Sequence, residues 1–325
     1  MNTYLIIQTA FIGDVILSTS LIEKIRMNDP EARIDFLLRK GNEGLLRNHP
    51  HINRLYVLNK KERKWRHVIG MIREIRKEKY DYMINLQRFL TTGIISFLTP
   101  AGMKAGFDKN PLSRFFDVRV KHSIGDGTHE IARNIKLVEH LFGGTFVRPR
   151  LYPGEEDYKA VSEYTGGDYV CLAPASVWYT KQFPEERWLE LIGRLPSDRT
   201  VYLIGGPDDR ELCDRIVLQS ANDKVYNLAG QHGFLETAAL MEQARMNYVN
   251  DSAPLHIASA MNAPVRAVFC STVPSFGFYP VSDDSKVVEV EYELYCRPCG
   301  LHGFRQCPEG HFRCARDIDI NKLLT

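Results

Sequence analysis

The stretch that decides the fold is residues 246–272, M-N-Y-V-N-D-S-A-P-L-H-I-A-S-A-M-N-A-P-V-R-A-V-F-C-S-T. An apolar run at 246–249 predicts a short buried strand, and a polar turn follows at 250–254. Apolar spacing then predicts a helix at 255–261, before a second strand at 265–269. This order indicates a β-turn-α-β unit of a parallel sheet.

The polar turn of this unit contains residues that favour the start of a helix. Asp251 and Ser252 are good helix-capping residues, and Pro254 is tolerated in a first helical turn. Backbone N–H groups at 252–255 would then lack helical acceptors and attract a phosphate, to which His256 could also donate. The alternative is an ordinary capped helix without a ligand, because Asp and Ser are common caps.

Length and composition restrict the class of protein. A chain of 325 residues exceeds the usual size of a single core and predicts two domains. Hydrophobic residues at 44% and charged residues at 25% are typical of a globular enzyme. The net charge of +2 argues against a dedicated nucleic-acid binder.

The same features predict a cytoplasmic location. The sequence has no run of 18 apolar residues that could span a membrane. Its first residues lack the basic segment of a signal peptide, and Asp14 interrupts their apolar run. Seven cysteines, an odd number, fit a reducing compartment better than a disulfide scaffold.

The first βα unit of the chain carries one candidate catalytic residue. A buried strand at 4–7 is followed by a turn at 8–13 and a helix at 14–26. The turn contains a single glycine, so the dinucleotide fingerprint G-x-G-x-x-G is absent. Asp14 follows the strand at the sheet edge where ligands bind, and its carboxylate could accept a proton from a hydroxyl substrate. Alternatively, Asp14 only complements the dipole of its helix.

A basic helix is predicted at 61–78, between strands at 55–58 and 82–86; a further strand is predicted at 34–38. Its apolar stripe, which we expect to pack against the sheet, consists of Trp65, Val68, Ile69, Ile72 and Ile75. Its basic residues are Lys60, Lys61, Arg63, Lys64, Arg66, Arg73, Arg76, Lys77 and Lys79. This cationic face is either solvated or attracted to anionic lipid or to phosphates on an acceptor.

The rest of the first half is predicted to be less regular. Prolines, glycines and scattered cations at 99–126 indicate loops on an acceptor-binding side. An amphipathic helix is expected at 129–142, and the stretch 149–156 is typical of an interdomain linker.

The second half restarts the alternation of strands and helices. Strands are predicted at 169–173, 201–204 and 225–228; helices are predicted from 185, at 208–219 and at 234–244. The sequence therefore predicts an α/β protein with two Rossmann-like domains, residues 1–150 and 151–325, that face each other across a cleft. No internal sequence repeat accompanies this division.

Several polar residues of the second half follow predicted strands and should share one sheet edge. Lys181 would supply a charge to phosphate and Ser176 a hydroxyl, while Gly205 and Gly206 would let backbone approach a nucleotide. Considered one at a time, Lys181 would be a surface lysine, Ser176 a helix cap and the two glycines a turn. Their placement together with 251–256 favours a phosphate-bearing ligand.

Five motifs resemble those of glycosyltransferase family 9, the lipopolysaccharide heptosyltransferases. They are T-A-F-I-G-D-V-I-L-S-T at 9–19, K-Y-D-Y-M-I-N-L-Q at 79–87, A-S-V-W-Y-T-K-Q-F-P-E-E-R-W at 175–188, L-I-G-G-P-D-D at 203–209 and N-D-S-A-P-L-H-I-A-S-A at 250–260. The resemblance implies the GT-B fold, with an acceptor-binding first half and a donor-binding second half. It also implies inverting, metal-independent transfer of a sugar, typically from ADP-heptose, onto a lipopolysaccharide core or related glycan.

The resemblance also implies roles for single residues. Asp14 matches the family's base, and Ser176 and Lys181 match its donor-phosphate contacts. The donor-binding turn corresponds to Asp251, Ser252, Ala253 and His256. Three positions depart from the family's pattern: Ala253 replaces a frequent glycine, Val177 replaces a frequent hydroxyl residue, and Asp208 only approximates an acidic nucleoside contact.

The carboxy-terminal part contains four cysteines at positions 296, 299, 307 and 314. The pair Cys296 and Cys299 has the spacing of a zinc knuckle, whereas Cys307 and Cys314 are farther apart than a second knuckle requires. Structural zinc is one hypothesis; unmetallated thiols or labile disulfides are the others. Cys171, Cys213 and Cys270 are expected to be core residues.

Two other functions remain open at this stage. A sugar-nucleotide epimerase would use the same donor without an acceptor, and a non-catalytic adaptor would use the basic helix and the cysteine tail to bind a partner.

Overall fold

The structure, a computed structural model, describes residues 1–60 and 64–325. Two compact units make up the chain, Met1–Tyr152 and Pro153–Thr325. The predicted start of the basic helix, at Lys61, lies outside the described residues.

The first unit is built on a six-stranded parallel sheet. Its strands are β1 (Thr3–Ile7), β2 (Arg33–Arg39), β3 (Ile52–Leu58), β4 (Tyr80–Asn85), β5 (Ala101–Phe107) and β6 (Val118–Val120). Its helices are α1 (Ile12–Asn28), α2 (Lys64–Ile75), α3 (Leu90–Leu98), α4 (Glu130–Ile135) and α5 (Glu139–Phe142). The strand order across the sheet is β3-β2-β1-β4-β5-β6.

The second unit has a parallel sheet of the same size. Its strands are β7 (Tyr169–Ala173), β8 (Thr200–Leu203), β9 (Val225–Asn227), β10 (Met246–Asn250), β11 (Val265–Phe269) and β12 (Ser285–Glu289). Its helices are α6 (Glu155–Ala160), α7 (Glu185–Arg194), α8 (Arg210–Gln219), α9 (Phe234–Gln243), α10 (Ala253–Met261), α11 (Arg313–Arg316) and α12 (Asn321–Leu324). The strand order is β12-β11-β10-β7-β8-β9.

Both sheets therefore have the same topology. In each, the chain starts at a central strand, proceeds to one edge, returns to the centre and proceeds to the other edge. The direction reverses between β1 and β4 in the first unit and between β7 and β10 in the second. At such a switch point the loops leave the carboxyl ends of neighbouring strands in opposite directions and open a crevice that binds ligands. The predicted α/β class with two Rossmann-like halves is confirmed.

The apolar strand residues are buried because helices cover both faces of a parallel sheet. Leu5, Ile6 and Ile7 of β1 are fully buried, as are Cys171 and Leu172 of β7. Cys213 and Cys270 are buried as well, which confirms that these cysteines and Cys171 belong to the core.

Three segments differ from the prediction. The stretch 99–126, expected to be irregular, contains β5 and β6. Backbone pairing of β5 with β4, and of β6 with β5, orders a segment whose own pattern is weak. The helix expected at 129–142 is divided into α4 and α5. The predicted linker 149–156 already contains the start of α6. In addition, β12 was not predicted.

The apolar stripe of α2 is also narrower than expected. Val68, Ile72 and Ile75 are buried against the sheet, whereas Trp65 is 52% exposed and Ile69 is 50% exposed. The core therefore contains Val68, Ile72 and Ile75 of the predicted stripe, and the other two residues lie at the surface.

No helix among residues 1–60 and 64–325 is both long enough and apolar enough to cross a lipid bilayer.

Candidate functional site

Asn250, the last residue of β10, joins the two central strands of the second sheet. Its side-chain nitrogen donates to the carbonyl oxygen of Pro174 at 2.8 Å, and its side-chain oxygen accepts from the backbone N–H of Phe183 at 2.9 Å. Asn250 is fully buried. The loop between Pro174 and Phe183 is thereby held against the end of β10, across the switch point.

An ion pair lies where β7 and β10 end. The ammonium group of Lys181 is 2.7 Å from Oδ2 of Asp251, and the hydroxyl of Thr272, which follows β11, donates to the same oxygen at 2.6 Å. The side chains of Lys181 and Asp251 are 15% and 8% exposed. Three neighbouring strands thus bring one cation, one anion and one hydroxyl together at the carboxyl edge of the sheet.

Asp251 does not cap α10, contrary to the prediction, because its carboxylate is engaged by Lys181 and Thr272. The N-cap residue is Ser252, whose extended backbone precedes the helix and whose hydroxyl makes no capping hydrogen bond. The N–H of Leu255 donates to the carbonyl oxygen of Ser252 at 3.1 Å. The prediction that this N–H is free to bind a ligand is therefore wrong. The part of the chain that the structure describes offers no hydrogen-bond acceptor to the N–H groups of Ser252 and Ala253. These two groups therefore form the anion-attracting end of the helix.

Ala253 is accommodated without strain at its position. Among the described residues, Asn262 and Phe312 are the non-glycine residues with positive φ, and Ala253 is not one of them. A glycine is therefore not required there by backbone conformation. His256 lies in the first turn of α10, is buried, and has its ring 6.4 Å from that of Phe278.

Ser176 lies in the loop after β7 and is half-buried. Its carbonyl oxygen accepts a hydrogen bond from Nε2 of Gln182 at 2.6 Å, which closes the loop that carries Lys181. Val177 is 86% exposed.

The glycine pair forms a separate turn after β8. The N–H of Gly206 donates to Oδ2 of Asp209 at 2.8 Å and starts a short 3-10 turn at Pro207–Asp209. Burial raises the pKa of Asp209, whereas Asp208 is exposed. Within the described residues, no hydrogen bond or ion pair links this turn to Lys181 or Asp251.

Asp14, the predicted base, lies in the first turn of α1 after the central strand β1. Its Oδ2 accepts a hydrogen bond from the N–H of Phe11 at 3.2 Å. The carboxylate therefore stabilises the start of the helix, which is the role that the alternative interpretation of Asp14 gave it. Burial, with a smaller contribution from the charge of Glu130, raises the pKa of Asp14 to about 6. Glu130 is itself paired with Arg133 at 2.7 Å. A carboxyl with this pKa is ionised near neutral pH and is more basic than an ordinary aspartate.

The carboxy-terminal cysteines surround a cavity of about 290 Å³, together with His311. All four are free thiols, and Cys296 Sγ lies 3.9 Å from Nε2 of His311. In the described ranges no three side chains of His, Cys, Asp or Glu are close enough together to hold a metal ion. Structural zinc at these four cysteines, which would need four converging ligands, stays a prediction.

The sequence analysis did not identify several residues of this site. Thr272 and Asp209 follow strands of the second sheet, and Asn250 is the last residue of one; these positions were the signal that could have revealed them. Thr180, which precedes Lys181, is buried and was not distinguished by any pattern.

Comparison with known proteins identifies the family of the chain. A profile of glycosyltransferase family 9 (heptosyltransferase) matches residues 68–306. Lipopolysaccharide heptosyltransferase 3 of Escherichia coli strain K12 is 29% identical over 283 residues, which cover 80% of this chain and 80% of that protein.

Two solved structures show the same fold. The crystal structure of a family 9 glycosyltransferase from Veillonella parvula DSM 2008 aligns with a TM-score of 0.84 at 22% identity and covers 99% of this chain and 95% of the other. The structure of Escherichia coli ADP-heptose lipopolysaccharide heptosyltransferase II aligns with a TM-score of 0.81 at 18% identity, covering 100% of this chain and 96% of the other. With the profile matching well over half of its length, the chain belongs to glycosyltransferase family 9, the heptosyltransferases.

Proposed function

We propose that this glycosyltransferase transfers heptose from ADP-heptose to a lipopolysaccharide core or related glycan acceptor, with inversion and without a metal ion. The observation that carries the proposal is the Lys181–Asp251 pair beside the first turn of α10, at the switch point of a Rossmann-like sheet. The names of the relatives, which refer to lipopolysaccharide and to ADP-heptose, support the choice of acceptor and donor.

In this proposal the second unit binds the donor. The ammonium group of Lys181 and the N–H groups of Ser252 and Ala253 contact the diphosphate, and the hydroxyl of Ser176 adds a further donor. Charge that develops on the departing ADP then meets positive groups that are already oriented, which is usually the largest contribution to catalysis. In this proposal Lys181 and the helix end stabilise the charge of the diphosphate without a metal ion.

The remaining donor contacts are assigned to the turn after β8 and to α10. Gly205 and Gly206 allow the nucleoside to approach the backbone of the turn. Asp208 is the exposed acidic residue of that turn and is assigned to the nucleoside. His256 in the first turn of α10 contacts the diphosphate or the sugar.

The first unit binds the acceptor, and Asp14 acts as the base. Its carboxylate takes the proton of the acceptor hydroxyl while that oxygen attacks the anomeric carbon of the donor and the bond to ADP breaks. Attack from the face opposite the leaving group inverts the configuration. A pKa of about 6 keeps the carboxylate ionised at pH 7 while leaving it basic enough to accept the proton.

We further propose that the enzyme works at the inner face of the cytoplasmic membrane. Trp65 and Ile69 project from α2 next to the basic residues Arg66 and Arg73, a combination that suits an anionic lipid surface. Co-sedimentation with anionic vesicles should be lost on Ile69→Ser and absent with zwitterionic vesicles. Equal sedimentation of the parent with both vesicle types would contradict this contact.

The transfer proposal is tested by incubating the purified enzyme with ADP-heptose and a heptose-deficient lipopolysaccharide core. We expect ADP release that depends on the acceptor, together with a gain of one heptose in the mass of the product. NMR of the anomeric centre should show a configuration opposite to that of the donor, and EDTA should not reduce the rate.

Two outcomes would assign a different function. Conversion of ADP-heptose without acceptor and without ADP release would identify an epimerase. Absence of binding to any nucleoside diphosphate or diphosphate sugar would favour an adaptor.

A further inference from the structure

The segment 297–304, called here the tail segment, lies against both turns that hold Asp251. One of these turns contains Thr180 and Lys181, after β7. The other contains Ser271 and Thr272, after β11. The tail segment is remote in sequence from the first turn, so its contacts there depend on the tertiary fold.

Thr180 is the point of contact with the first turn. Its N–H donates to the carbonyl oxygen of Phe304 at 3.1 Å, and its Oγ1 accepts from the N–H of Phe304 at 2.7 Å. The hydroxyl of Ser271 donates to the same Oγ1 at 3.0 Å. Thr180 is 1% exposed, so these hydrogen bonds are sheltered from water. They hold Thr180, which directly precedes Lys181, in place.

The second turn is held in a similar way. The N–H of Cys299 donates to the carbonyl oxygen of Ser271 at 2.9 Å. Nη2 of Arg297 donates to the carbonyl oxygen of Thr272 at 2.6 Å and is also paired with Glu289. The tail segment thereby holds the backbone of Thr272 and that of Thr180, the residue that precedes Lys181.

Gly303 brings tail backbone directly onto the side chain of Lys181. Its φ is +78°, and a Cβ atom there would lie 2.7 Å from Oγ1 of Thr180 and 3.1 Å from Cγ of Lys181. The first distance is too short for any real contact, and the Thr180 hydroxyl cannot move away without losing its hydrogen bonds. A side chain at position 303 would therefore displace Thr180, Lys181 or both.

We infer that the tail segment is a positioning element for the donor site, in which Gly303, Thr180 and Arg297 orient Lys181 toward the diphosphate of the nucleotide sugar. This inference rests on the proposed function. A free lysine side chain loses conformational entropy when it is fixed. The tail segment and Asp251 restrict the side chain before the donor binds, so less affinity is lost at binding.

The decisive comparison is between Gly303→Ala and Gly310→Ala. Gly310 has a φ of +68° and no atom within 4 Å of the position of a Cβ, so both variants strain the backbone but only the first meets Thr180 and Lys181. Isothermal titration with ADP should give a dissociation constant at least about tenfold higher for Gly303→Ala and unchanged for Gly310→Ala. The melting temperature of unliganded Gly303→Ala should fall further than that of Gly310→Ala, because the contact with Thr180 adds to the backbone strain that both variants share.

A purely structural role of the tail would lower the melting temperature without changing ADP affinity. Equal dissociation constants for the two glycine variants would therefore overturn the inference.

Should Gly303→Ala fail to fold, substitutions of Thr180 provide the same test. Thr180→Val removes the oxygen that accepts from Phe304 and Ser271 while keeping the shape, and it should weaken ADP binding. Thr180→Ser keeps the oxygen and should restore the binding. Equal ADP affinity of the Val and Ser variants would overturn the inference.

Lys181→Met separates this inference from the proposed function. If the parent binds ADP and Lys181→Met weakens the binding while neither the Gly303 nor the Thr180 variant does, the positioning role is wrong and the donor site stands. If the parent does not bind ADP, the proposed function fails and the inference fails with it.

Discussion

At the scale of single residues, Asp14 and Asp251 occupy opposite environments although both follow a central strand. Asp251 is paired with a cation and accepts a hydroxyl hydrogen bond. Asp14 has no such cation partner among the described ion pairs, and burial and the charge of Glu130 raise its pKa to about 6. Paired and unpaired carboxylates serve different purposes, since the first orients a neighbour and the second can accept a proton.

The raised pKa of Asp14 predicts that this residue lowers the stability of the folded protein. A carboxyl whose pKa is higher in the folded state contributes most favourably below its unfolded pKa of 3.8, and this contribution is lost as the pH rises through about 6. Asp14→Asn should therefore stabilise the protein at pH 8, by up to about 3 kcal/mol, while abolishing transfer. Urea unfolding at pH 8 and pH 5 measures the gain, which should decrease at the lower pH.

The same substitution separates the two interpretations of Asp14. The Asn side chain keeps an oxygen for the N–H of Phe11, so the helix start is preserved. Near-parental turnover by Asp14→Asn would show that Asp14 is only a helix-capping residue.

The negative charge of Glu130 should influence the position of the acidic limb of the pH–rate profile, because it raises the pKa of Asp14. In the parent, kcat/KM should rise with pH up to about 6, because the base must be ionised. Glu130→Gln removes a negative charge whose presence raises the pKa of Asp14, so the limb should shift to lower pH. Glu74→Gln on α2, whose partner is Lys77, provides a control with no shift. The position of the limb is informative even if Glu130→Gln lowers the rate uniformly, and an unmoved limb would contradict the assignment of Asp14.

At the scale of elements, the turns after the strands carry the site, and each is shaped by a different constraint. Asn250 joins the end of β10 to the loop after β7. A side chain at Gly205 would lie 2.9 Å from Cβ of Asp209, so the turn after β8 requires a glycine there for close packing. The element boundaries follow from these tertiary contacts as much as from local propensity.

The two glycines of this turn should respond differently to substitution. Gly205→Ala would place a Cβ 2.8 Å from Oδ2 of Asp209 and should cost about 1–3 kcal/mol of stability and weaken ADP binding. In Gly206→Ala the same oxygen is 3.7 Å away, an ordinary contact, so the stability should remain close to that of the parent. Thermal unfolding of both variants tests this difference, and equal melting temperatures of the two would refute it.

At the scale of the whole molecule, the chain repeats one topology in two units that share no sequence repeat. Each unit places its candidate residues after the central strands next to its switch point. Asp14 follows β1 in the first unit, and Lys181 and Asp251 follow β7 and β10 in the second. The proposed division into an acceptor unit and a donor unit predicts that ADP binds to, and stabilises, only the donor unit.

Hydrogen exchange with and without ADP tests this division. Binding stabilises the segments that contact the ligand or are coupled to it. ADP should slow exchange at 176–181, at 250–256 and in the tail segment, and leave the core strands of Met1–Tyr152 unchanged. Lys181→Met with the same ADP concentration is the control, and protection confined to the first unit would refute the assignment.

Local pattern was sufficient for much of this protein. The apolar run at 169–173 coincides with β7, because a strand buried on both faces needs continuous apolar sequence. The strand predicted at 265–269, which is interrupted by Arg266, coincides with β11. Such patterns, placed in order with their turns, determined the α/β class. Asp14, Lys181 and Asp251 were candidates because they follow predicted strands, and five motifs carried the family resemblance.

What the tertiary structure alone decided is which of these residues meet. Sequence spacing does not reveal that Thr272 shares Asp251 with Lys181, that Glu130 acts on Asp14, or that Gly303 packs against Lys181. Nor does it reveal β5 and β6, whose residues form strands because a neighbouring strand satisfies their backbone groups. The physical reason is the same in each case: periodicity encodes which face of an element is buried, whereas contacts between distant segments depend on how the elements pack.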